Sequence, residues 1–101
     1  MKLRSIVIVT LGAPKQRFLG KLLDITPAGV TVRGVDLDAF EDWVNHVAVQ
    51  EESGVQATTT FFPIHRVEKM ILDEGLGAIP SMSHTFLMRA GTSIDEHLDN
   101  E

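Results

Sequence analysis

Apolar and polar positions alternate along five short stretches of the chain and follow a helical period along a sixth. Leu3 to Leu11 reads as a first strand, and Arg17 to Ile25 as a second with Gly20 inside it. A glycine inside a strand marks a sharp bend or a close backbone approach. Val30 to Val35 reads as a third strand, with Val30 and Val32 on one side and Thr31 and Arg33 on the other. Turn-rich connections at Gly12–Gln16 and Thr26–Gly29 are short, so antiparallel pairing is expected. Thr58 to Phe62 is β-branched and aromatic, and Pro63, with no N–H to donate, ends it. Arg66 to Leu72 alternates again, with Val67, Lys69 and Ile71 on one side and Glu68, Met70 and Leu72 on the other. Two short strands joined by a tight Pro-Ile-His corner are how a small barrel bends its sheet closed.

Between the third and fourth strands the period changes. Apolar residues fall at 37, 40, 43, 44, 47 and 48, which predicts a helix over Leu37–Gln50 lying on the sheet with Phe40, Trp43, Val44 and Val47 inward. Asp36 or Asp38 can cap its start, Glu41 and Asp42 suit its first turn, and Glu51–Gly54 ends it. After the last strand, Gly75–Pro80 is a connector and Ser81–Arg89 a short helix stopped by Gly91. Ser93-Ile94-Asp95-Glu96 has the capping-box pattern and opens a last turn or two through Leu98. The chain of 101 residues is read as one domain, with a helical insert at residues 36–52 and a C-terminal extension at residues 75–101.

Charge changes this picture in one respect. The net charge is −5, but residues 1–35 hold six cations (Lys2, Arg4, Lys15, Arg17, Lys21, Arg33) against Asp24 alone. Residues 36–52 hold six acids and no base, and the last residues add Asp95, Glu96, Asp99 and Glu101. The chain is therefore no uniform polyanion binder, although a basic face on the first half is available. The basic half of one copy can also meet the acidic half of another. There is no cysteine, so disulfides and thiolate metal sites are excluded and a cytoplasmic location is expected. No apolar run approaches the roughly 18 residues that a membrane-spanning helix needs, and no targeting segment is expected.

The five strands, the bend at Gly20 and the Pro-bearing corner resemble the SH3-like small barrels, and among them the Sm-like family that includes the Hfq RNA chaperone. Gly20-Lys21-Leu22 matches the Gly-x-Leu of that family's second strand. The resemblance covers about Leu3 to Leu72 and implies a mainly β, five-stranded barrel carrying the helical insert and the short C-terminal helices. It implies that Thr58 to Leu72 supplies the strands through which subunits pair into a ring. It also places His65 near a corner histidine that helps hold RNA. The chain departs from the family at Thr26–Val30, which lacks the family's acid and Asn, and at Pro63-Ile64, where other members have Arg-Gly.

Chemistry-bearing residues are few. His65 and Arg66 at a loop tip can grip a phosphate or carboxylate, or simply be solvated corner residues. With Arg33 they are the RNA- or anion-binding candidates. Asp36, Asp38 and Asp42 lack the glycine and spacing of a calcium loop and read as a helix N-terminus. His46, His65, His84 and His97 have no ligand spacing, and His46 and His97 fall on the polar faces of their predicted helices. No GxSxG and no phosphate-cradling glycine loop occurs. No metal or cofactor is expected. Trp43 is read as core, or as an anchor for a partner together with Phe40. Phe61 and Phe62 are adjacent and must point to opposite faces of a strand, so one of them is exposed in a lone barrel. With Met70 they are the subunit-contact candidates. The expected function is a non-enzymatic binding or scaffolding module that works as a homo-oligomer. The alternatives are an Sm-like RNA binder, or an enzyme whose site lies between subunits.

Overall fold

A computed structural model of the chain describes residues 1–50 and 54–99. Five strands, β1 (Ile6–Leu11), β2 (Gln16–Thr26), β3 (Gly29–Asp36), β4 (Thr58–Pro63) and β5 (Val67–Leu72), form one antiparallel sheet in the order β4-β3-β2-β1-β5. Helix α1 (Phe40–Ala48) lies between β3 and β4, and α2 (Met82–Ala90) and α3 (Ile94–Leu98) follow β5. The mainly β class, the helix between the third and fourth strands and the short C-terminal helices are as the hydrophobic pattern predicts.

β4 and β5 lie at opposite edges of the sheet, yet only the 3-10 turn Ile64–Arg66 joins them. Three residues span about 10 Å at most, so the sheet must roll until its edges meet at one corner. The rolled inner face holds Val7, Val9, Leu11, Phe18, Leu22, Val30, Val32 and Phe62. Phe18 from a central strand meets Phe62 from an edge strand edge-to-face at 5.1 Å between ring centroids. Gly20 and Gly34 make the bend, as directly paired residues. A Cβ on Gly34 would sit 1.9 Å from the Leu19 carbonyl oxygen, and one on Gly20 2.4 Å from that of Arg33. No side chain fits between the two backbones.

The outer face carries a second core. Leu19 and Val35 of the sheet pack against Phe40, Trp43 and Val44 of α1, Phe86 of α2, and Ile94 and Leu98 of α3. Phe86 is fully buried, and the Trp43 ring lies 4.7 Å from it. Burying a side chain of that size contributes about 2–3 kcal/mol, which ties the C-terminal helices to the insert. Caps fix the helix ends: the Asp36 carboxylate accepts from the Asp38 N–H at 3.0 Å, and Gly91 closes α2 at φ +76°.

Three local expectations need correcting. The first strand begins at Ile6, not Leu3, because Arg4 turns the backbone at φ +74°. Strict alternation fails in β5: Thr10 pairs Lys69 but Leu11 pairs Val67, so Glu68 is bulged out. Val67 and Met70, expected on opposite faces, therefore both pack on the inner core. α1 ends at Ala48, two residues before the expected Gln50, which itself adopts φ +59°. Glu51–Ser53, expected to end that helix, and Glu101 of the acidic end lie outside the described residues. No helix among the described residues is long and apolar enough to cross a membrane.

Candidate functional site

The corner between β4 and β5 is a fastening. Arg66 donates from Nε to the Gly12 carbonyl at 2.9 Å and from Nη2 to the Pro14 carbonyl at 3.0 Å and Gln16 Oε1 at 3.4 Å. Backbone bonds run from Gly12 N–H to the Arg66 carbonyl at 2.9 Å and from Ile64 N–H to the Ala28 carbonyl at 2.8 Å. The turn is thus stitched to both hairpin tips that surround it, and a guanidinium that a sequence reading offers to a ligand is committed to backbone. His65 is exposed beside it. Arg33 is elsewhere: Gly29 pairs Pro63 at the corner, and Arg33 lies four residues further along β3, about 13 Å away at 3.3 Å per residue. The three anion-binding candidates do not converge.

Among the described residues neither β4 nor β5 has a strand partner on its outer edge. Phe61 stands on the outer face of β4, half exposed, whereas Phe62 is only 7% exposed and belongs to the inner core. Met70 is half-buried against the same core. Of the three contact candidates, Phe61 alone is exposed. Beside β5, Ile71, Leu72, Leu76, Ile79 and Pro80 line an open apolar groove of about 350 Å³. Asp73 holds its wall in place. The Asp73 carboxylate accepts from the N–H groups of Met82 at 2.8 Å and Ser83 at 2.9 Å, and from the Ser83 hydroxyl at 2.6 Å.

On the outer face of the sheet Ile6, Lys21, Arg33 and Thr59 form one cross-strand row. Lys21 is buried beneath α3, where its ammonium meets Asp95 at 3.0 Å and Asp99 more closely still. Burial alone would lower the Lys21 pKa, but the hydrogen bonds and charges of Asp99 and Asp95 outweigh it and hold the pKa above its ordinary value. The bond from Lys21 pulls the Asp99 carboxyl below the usual carboxylate value against a smaller opposing effect of burial, and the Lys21 and Arg4 charges add to the lowering. Arg4 meets Asp99 at 3.4 Å, and Arg89 meets Glu41 at 2.5 Å. Arg4 and Lys21 of the basic first half thus pair with the acidic C-terminal residues within one chain.

Arg33 has no carboxylate partner among the described residues. Its Nη1 donates to Thr59 Oγ1 at 3.2 Å, and its Nε is buried without a partner. The residue lines a cavity of about 220 Å³ together with Trp43, His46, His97, Val47 and Val55. His46 Nδ1 is likewise buried and unpartnered, and Gly54, at φ +110°, lies against the ring where a Cβ would come within 2.6 Å of it. The His97 ring packs on Phe86 at 5.7 Å between centroids.

Sequence reasoning misses His46 and His97 as a pair. They come from separate helices and share no short spacing; they meet because α1 and α3 both dock on the outer core around Trp43 and Phe86. The only available signal was that Trp43 and the Ile94/Leu98 stripe must be buried, which brings the flanking histidines toward each other. Among the described residues no three His, Asp or Glu side chains gather as a metal ion requires. In comparisons with protein-family models, curated proteins and solved structures, nothing matches the chain.

Proposed function

We propose that the chain is an Sm-like small barrel that serves as a non-enzymatic binding or scaffolding module and assembles with copies of itself. The observation that carries this reading is the pair of open edges, β4 and β5, each flanked by exposed apolar side chains on the outer face of the sheet. An open edge is a row of unpaired N–H and C=O groups that another strand can complete. Pairing β4 of one copy with β5 of the next satisfies both rows and sets Phe61 beside the groove lined by Ile71, Leu76 and Ile79. Each copy then offers one donor edge and one acceptor edge, a head-to-tail arrangement that closes into a ring.

RNA binding through Arg33, His65 and Arg66 has less to draw on, since Arg66 spends its donors on Gly12, Pro14 and Gln16 and Arg33 lies away from the corner. The two readings separate in one preparation. A scaffold purifies free of nucleic acid by its ultraviolet absorbance ratio, and Phe61→Glu lowers its assembled mass. Co-purified nucleic acid released steeply by salt would favour the RNA binder instead.

A further inference from the structure

We propose that the cavity between α1, α3 and the outer face of β3 binds a small oxyanion, a carboxylate or phosphate group carried by a small molecule, held by Arg33 with His46 and His97. The inference goes beyond assembly, because every group in the cavity comes from a single copy of the chain.

Charge is the first argument. Lys21 and Arg33 are directly opposite each other on the same face of the sheet, and like charges in that relation repel. Asp95 and Asp99 counter Lys21, while no described carboxylate counters Arg33. Among the described residues the Arg33 charge at the wall of the cavity is left without a counter-charge.

Hydrogen-bonding capacity is the second argument. Arg33 Nε and His46 Nδ1 are buried and unpartnered, and buried polar groups in folded proteins are normally satisfied. A guanidinium has five N–H donors and no acceptor, and an imidazole has at least one donor. A ligand that completes this set must bring acceptors, and an oxyanion brings several with compensating charge. Among the described residues the guanidinium donates from Nη1 to Thr59, which orients the side chain with its unpartnered Nε on the cavity side. Three elements, β3, α1 and α3, contribute one group each, so the site exists only when the helices are docked. The Trp43 ring and the apolar sides of Val47 and Val55 give the remaining wall and suit a short carbon body behind the charged group.

Trp43 is the only tryptophan in the chain and lines this cavity, so its fluorescence responds to a change there. The experiment titrates the whole protein with sodium phosphate and, separately, sodium succinate, with ionic strength held constant by sodium chloride. The expected result is a saturable change in the millimolar range with at least one of them. Loss of a charged donor should weaken the response about tenfold or more in Arg33→Met and leave it unchanged in Lys69→Met, which removes an exposed cation from β5. Saturation by phosphate alone identifies a phosphate group, and by succinate alone a carboxylate. If Arg33→Met loses its fold by circular dichroism, His97→Gln takes its place with the same expected weakening. No saturation with either anion, or equal weakening in the Lys69 variant, overturns the proposal.

Discussion

Lys21 and Arg33 face each other across β2 and β3, yet among the described residues only Lys21 has carboxylate partners, Asp95 in α3 and Asp99 at its C-terminal end. The Lys21 side chain is 6% exposed, whereas the two carboxylates are about half exposed. The partners are therefore unequal. Lys21→Met swaps a buried ammonium for an apolar chain of similar length and should leave stability nearly unchanged, while easing the repulsion at Arg33. Removing both carboxylates in Asp95→Asn/Asp99→Asn strands a buried cation and should destabilise the chain clearly more than Lys21→Met does. Denaturant unfolding of the two variants gives the comparison directly.

The same latch sets a pH window. The Asp99 pKa is lowered in the folded chain, so its contribution is present above the ordinary carboxylate value and is lost as pH falls through the lowered one. The Lys21 pKa is raised, so its contribution is present below the ordinary value of 10.5 and is lost as pH rises through the raised one. The difference in melting temperature between wild type and Lys21→Met should stay flat between those limits and shift toward the variant at both extremes.

Arg66 and His65 are neighbours with opposite predictions. Arg66→Ala removes three donated bonds that pin the corner to the β1–β2 connection and should cost about 2 kcal/mol. His65→Ala, at an exposed position, should change stability by less than about 0.5 kcal/mol. Equal costs measured by urea unfolding would mean that the corner is not fastened as described.

Gly34 and Gly91 test the bend in the sheet. Gly34→Ala drives a methyl against the Leu19 carbonyl and should cost more than about 3 kcal/mol or prevent folding. Gly91→Ala meets nothing within 4 Å and suffers only from its φ of +76°, about 1 kcal/mol. Thermal melts of both variants check the ratio.

Most of the fold was legible in the residues because alternation and helical period report directly on which side of an element is buried. Gly20 announced the bend, although its partner Gly34 did not, since a glycine at the end of an apolar strand looks like a terminator. The bulge at Glu68 was hidden: it arises from pairing with β1, and a single strand read alone shows only alternation. Arg66 looked like a free cation because its acceptors are main-chain carbonyls near residue 14, which no side-chain pattern advertises. The cavity was the least legible feature. Arg33, His46 and His97 are polar residues on surfaces that become neighbours only after two helices dock on one sheet face.

Self-association through the open edges is the claim on which the functional account rests, and solution mass tests it most directly. Light scattering on the purified chain across a dilution series should return a constant mass at a whole multiple of 11.1 kDa. A mass of 11.1 kDa at every concentration would contradict the account.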